Sequence, residues 1–298
     1  MAALLTSNFD LPNNVAKGIF KAAQKGSTLA QLAGAEPQKF GKEQVWVLTA
    51  PPKAEIVGEG EQKSPTPTEY GNKTVNPIKL QVTMRFSQEV KWADEDAQMG
   101  VIQDLAENAG IALGRALDLV GIHKINPLTG LVSAKVQEGL TDTTQIATVS
   151  GTAYDEAIEA AAGLVIGAGY TPTGVALDTA LAFNLSTMRD KSGRKIYTDI
   201  GFGQNLTNFL GMNAAVSDTV SAKKEIASPS NLLGITGEFR AFRWGVQRSI
   251  SAHMIEFGDP DGLGDLQRLN QIALRAEIVY GIGIMDKNAF AKIMKPGD

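Results

Sequence analysis

From Ile272 to Ile284 every second residue is apolar: Ile272, Leu274, Ala276, Ile278, Tyr280, Ile282 and Ile284. A period of two predicts a β-strand with one dry face, and at about 3.3 Å per residue it runs roughly 40 Å, twice the usual strand. Gly281 and Gly283 fall on its other face. A dinucleotide fingerprint needs its glycines after the strand, a third Gly at 286 and a helix opening there, but position 286 is Asp. The segment therefore reads as scaffold, with a small face that admits a neighbouring backbone or helix.

The same alternation recurs at Ile78, Leu80, Val82, Met84 and Phe86, and a shorter strand is expected at Val45–Leu48. Between them lies a polar stretch, 51–68, rich in Gly and Pro. Loops beyond about 15 residues usually have a function of their own or are disordered. Residues 94–120 carry a helical period (Met99, Ile102, Leu105, Ala109, Leu113, Ala116, Val120), with Asp94 as N-cap and Gly121 as the end. Residues 141–245 read as a second body of mixed type. It holds a helix over 154–168, a strand at 174–177, a helix capped by Asp178, a strand at 213–216, and further segments at 232–236 and 239–244. From Val246 a long strand returns, with Arg248 interrupting its apolar face. Residues 1–38 look like an arm, in which Val15, Ile19 and Ala23 could line a short helix that must pack on something else.

The chain has 298 residues, a net charge of −4, no cysteine and two histidines. Absent cysteine excludes disulfides and thiolate chemistry, and the charge gives no overall basic field for nucleic acid. No run of about 18 apolar residues spans a bilayer and no secretory leader opens the chain, so a cytoplasmic origin and no membrane are expected. His123 and His253 are far apart and read as non-catalytic. The stretch 258–265 looks like a calcium loop, but counted from Asp259 its fifth and twelfth positions are Leu263 and Asn270, which makes it a turn. The stretch 167–174 follows a helix and lacks the Lys-Ser/Thr of a phosphate loop. Glu55, Glu59, Glu61 and Glu69 sit on the polar excursion with nothing rigid to pair them, and Lys191, Arg194 and Lys195 form a wet turn. No catalytic residue, cofactor or metal is assigned. What stands out instead is an arm, a long two-stranded projection and a rod beside a long strand, parts that bury more surface against neighbouring copies than alone.

The order of these parts resembles the major capsid proteins of tailed bacteriophages. The likeness is carried by 56–60, 79–90, 117–121 with 127–131, 175–178 with 188–194, 210–217, 234–239, 275–277 and 286–290. It implies an α+β fold with an N-terminal arm (1–38), an extended loop and flanking strands (39–88), a peripheral domain with a spine helix (89–140), an axial domain (141–245) and the long peripheral strands (246–298). It also implies self-assembly into hexamers and pentamers of an icosahedral virion shell around double-stranded DNA, with scaffolding, portal and decoration proteins as partners. Because the chain starts at the arm, a separate scaffolding protein or a trimmed chain is expected. Trp46, Glu59, Glu61 and Lys63 are the expected inter-subunit contacts of the extended loop. Some family members crosslink a loop Lys to a distant Asn beside a buried Glu. Lys63 and Asn270 stand near those positions, but Ala276 occupies that of the Glu and Glu277 faces the other way, so no crosslink is expected. An encapsulin-like shell around an enzyme cargo is the alternative on the same fold, and a soluble α/β enzyme the alternative of another class.

Overall fold

The computed structural model describes residues 26–50, 52–66, 69–92, 95–198, 200, 206–227 and 230–296. The helix face Val15–Ile19–Ala23 and the Asp94 cap lie outside them. A four-stranded sheet has the order β1 (Glu43–Ala50), β2 (Glu69–Ser87), β9 (Gln271–Ile284), β8 (Phe242–Ile255), all antiparallel. A long helix, α2 (Glu95–His123), packs against β2 and β9. The alternating residues of β9 face it: Ile272, Leu274, Ala276, Ile278, Tyr280, Ile282 and Ile284 are all buried. Ile78, Leu80, Val82, Met84 and Phe86 of β2 pack on the same core.

The other sheet has six strands in the order β3 (Ile146–Thr148), β10 (Phe290–Met294), β7 (Leu232–Gly237), β4 (Gly174–Leu177), β6 (Met212–Val216), β5 (Asn208–Phe209). Pairings β3–β10 and β4–β6 are parallel, the rest antiparallel. Helices α3 (Tyr154–Gly167) and α4 (Thr179–Thr187) cover it, and Asp178 caps α4 by accepting from the Ala180 N–H at 2.8 Å. One apolar core runs from β9 and α2 through Phe239, Phe242 and Trp244 to Phe290 of the six-stranded sheet.

Three expectations need correction. Gly121 does not end α2, which continues to His123, where Lys124 turns out with φ 60°. Instead, a Cβ at Gly121 would stand 2.7 Å from Leu29 Cδ1, so its missing side chain makes room for Leu29. Arg248 does not break the apolar face of β8. Val246 pairs with Tyr280 but Arg248 with Val279, and this irregularity puts the guanidinium on the exposed side. The last strand of the span 246–298 does not join the long strands; β10 crosses into the six-stranded sheet between β3 and β7.

Candidate assembly surfaces and the domain junction

β2 is shared between two partners. Its distal part, 69–75, pairs with β1, and its proximal part, 76–87, pairs with β9. The distal part is thus half of a two-stranded ribbon, tipped by residues 52–66. Alternation explains its exposure. Trp46 pairs with Asn72, and Tyr70 lies two residues along on the same face, so both rings point outward, 69% and 62% exposed. The tip has internal order: Glu55 accepts from Ser64 N and Oγ at 3.2 Å, and Glu61 accepts from Gly58 N at 2.7 Å. Glu59 and Lys63 are exposed beside Ile56, which is 100% exposed. Asn270 sits just before β9 at the opposite end of β2, where Ser87 pairs with Gln271. Along the strand the two ends lie roughly 60 Å apart, so Lys63 and Asn270 of one chain do not meet.

The glycine face of β9 is covered by other residues of the same chain: Gln38 and Gln247 over Gly281, Val75 and Met285 over Gly283. A Cβ at Gly281 would collide with the Gln38 side chain, and one at neighbouring Gly245 would sit 2.0 Å from the Glu36 carbonyl oxygen. Residues 36–41 therefore cross this face, held by the Glu36 N–H donating to Trp244 O at 2.9 Å and by Gln247 bonded to Gly41. Ala276 faces α2 and is buried, whereas Glu277 faces away and pairs with Lys79 at 2.8 Å. The Lys79 hydrogen bond holds the Glu277 carboxyl below its usual range.

The Asp-rich turn at 258–265 holds a cation from its own chain. The Arg85 guanidinium bonds Asp261, Asp259 Oδ1 at 3.1 Å and Gly264 O at 2.9 Å, while Arg275 donates to Pro260 O at 2.6 Å. Hydrogen bonding to Arg85 keeps Asp261 below the ordinary carboxylate range. Among the described residues no group of three or more His, Asp or Glu is placed to hold a metal, and no helix is long and apolar enough to cross a membrane. His253 is exposed on β8. The turn carrying Lys191, Arg194 and Lys195 is a tight hairpin organised by Asp190, which accepts from Ser192 N, Ser192 Oγ and Arg194 N at 2.7–2.9 Å.

The best-organised polar centre has no signature in the sequence pattern. Asp118 lies in α2 with no exposure. It accepts from Ser27 Oγ (2.5 Å), Thr28 N (2.8 Å), Thr28 Oγ1 (2.9 Å), Leu29 N (3.0 Å) and Thr219 Oγ1 (2.7 Å). Burial pushes its pKa above the usual value, against the pull of these donors. On the same side of α2, Arg115 donates to Asp218 and Glu225 at 2.5 Å, and His123 Nε2 lies 2.8 Å from Val220 O. Burial pushes Asp218 up, but Arg115 and Lys224 outweigh it and leave it below its ordinary value. Burial also lowers the pKa of His123. The turn-rich segment 217–226 is thus clamped to the C-terminal half of α2, between the two sheets.

Known proteins share this fold. Residues 8–294 match the model of the phage capsid family. The chain is 24% identical over 288 residues to the probable major capsid protein gp17 of Mycobacterium phage L5, covering 93% of this chain and 87% of that one. A solved structure from Mycobacterium phage Ogopogo superposes with a TM-score of 0.82 at 48% identity, over 91% of this chain and 92% of the other. One from Gordonia phage Cozz gives 0.79 at 30% identity, over 91% and 87%. With the match running over nearly the whole chain, from the N-terminal region to β10, the chain belongs to the phage capsid family.

Proposed function

We propose that the ribbon of β1 and β2 is the clamp by which one copy grips the next, with Trp46, Glu59, Glu61 and Lys63 at the contact. The chain acts as a structural major capsid protein of the tailed-phage virion, not as an enzyme. Self-association into capsomers is its activity, and the ribbon is the part that makes least sense in isolation. The observation that carries the reading is that, among the described residues, 69–75 pair only with β1, and that Trp46 of β1 and Tyr70 of β2 are exposed on the ribbon. An isolated two-stranded ribbon is marginally stable in water, and covering its aromatic face removes that weakness.

In this reading residues 1–38 form the arm, 39–88 the extended loop, 89–140 and the long strands of 246–298, without β10, the peripheral domain, and 141–245 the axial domain. Double-stranded DNA fills the shell through weak, non-specific contacts, and a scaffolding protein, a portal and a decoration protein are the further partners of assembly. Many modest interfaces supply the cohesion through multivalency. Deleting 55–66 should leave a folded subunit, by circular dichroism and urea unfolding, that no longer forms shells in electron micrographs. Intact shells from that deletion refute the clamp. Boiled shells should run in SDS as one band at 31.6 kDa, because Glu277 is tied to Lys79 and Ala276 stands at the helix-facing position; a ladder would mean that subunits crosslink. A lumen holding an enzyme instead of DNA would favour the cargo-shell alternative.

A further inference from the structure

The segment Ser27–Ala33 is held on the body like a bound peptide. It contains the five-residue helix α1 (Thr28–Leu32), far too short to be stable alone. Leu29 is fully buried in the notch left by Gly121, and the Trp244 indole N–H donates to Ala33 O at 2.8 Å. At its start, both free backbone N–H groups, Thr28 and Leu29, point at Asp118, one to each carboxylate oxygen. From the opposite side Thr219 donates to Oδ2, the oxygen that Thr28 also uses. The segment around Thr219 has no strand ladder of its own. The Ser217 N–H and the Asp178 contacts of Ser221 and Lys223 tie it to the six-stranded sheet and its helix, while towards α2 it is seated by Arg115, by His123 and by this one hydroxyl.

We infer that Asp118 is a positioning residue that couples the docking of Ser27–Ala33 to the seating of residues 217–226 on α2, so that loosening either one loosens the other. A buried carboxylate tolerates its surroundings only when its donors are present together. If the Ser27–Ala33 segment lifts, Asp118 loses four of its five donors and Thr219 is left bonding a poorly compensated charge. If 217–226 shifts, Oδ2 loses the hydroxyl that shares it with Thr28. One oxygen of Asp118 thus serves as the joint between Ser27–Ala33, about 90 residues before it, and Thr219, about a hundred residues after it. This inference concerns the subunit alone and does not depend on the ribbon clamp.

Hydrogen exchange on the full-length chain tests it. Thr219→Val removes the hydroxyl on one side, and Ser27→Ala removes one on the other. Thr219→Val should speed exchange about tenfold at the Thr28, Leu29 and Ala33 amides, within the range seen for coupled sites. Ser27→Ala should do the same at the Ala222, Glu225 and Ile226 amides, and linkage requires the coupling to be reciprocal. The Ala176 and Leu177 amides in the six-stranded sheet should keep their protection in both. The inference is overturned if each substitution loosens only its own side, or if protection falls uniformly through the sheet, which marks general destabilisation. Should Thr219→Val not fold, Ser27→Ala decides by the same amides.

Discussion

Replacing Asp118 by Asn keeps the shape of the side chain and removes its charge, so it isolates the electrostatics of the junction. Each carboxylate oxygen receives one backbone N–H, from Thr28 on Oδ2 and from Leu29 on Oδ1. An amide has one oxygen and one NH2, so in either flip one backbone donor faces another donor. A buried unsatisfied donor costs about 1–3 kcal/mol, and the bond that remains loses its charge assistance, worth about 1 kcal/mol more. Relief of the buried charge offsets part of this, as the raised pKa of Asp118 indicates. A net loss of about 2–3 kcal/mol is expected. Equilibrium urea unfolding of dissociated subunits at neutral pH measures it, with an unchanged slope required for the comparison. If Asp118→Asn stays within about 0.5 kcal/mol of the parent, the paired backbone donors do not hold the segment and the argument fails.

Gly121→Ala would place a Cβ 2.7 Å from Leu29 Cδ1 and 3.0 Å from Phe242 Cζ; urea unfolding should show a loss of about 1–3 kcal/mol, and combining it with Leu29→Val should lose less than the two single changes added. Arg85→Met leaves Asp259 and Asp261 without their cation, and limited proteolysis should then nick 258–265 faster than in the parent. Because burial lowers the pKa of His123, the unfolded chain takes the proton first, so stability is complete above about pH 6.5 and falls as the pH drops from there towards the folded value. His123→Asn should flatten that part of the profile in urea titrations. Asp118 has the opposite sign, its folded pKa being raised, so it does not account for the same loss.

Much of this fold is written in local periodicity. The alternation of β9, the strand at Gly174–Leu177 and the Asp178 cap each depend on neighbours within a few residues, and each stands where the pattern puts it. The distal part of β2, 69–75, carries no strand signal of its own because Tyr70, Asn72 and Thr74 all face water; the projection is legible only from the polar stretch between two alternating runs. The irregular pairing around Arg248 and the crossing of β10 are set by partners far away in sequence. Asp118 is the sharpest case. Within α2 it reads as one polar residue in an apolar run, and its meaning lies in donors 89 to 101 positions distant.

The divided pairing of β2 has a mechanical side. A pull on the ribbon's end along the strand reaches the body through the twelve residue pairs between 76–87 and 271–282. Those rungs lie across the direction of tension, so they are loaded together, in shear, and none can be peeled open before the rest. If the ribbon clamps neighbouring copies as proposed, a shell built of such beams stretches as a whole before any single grip gives way.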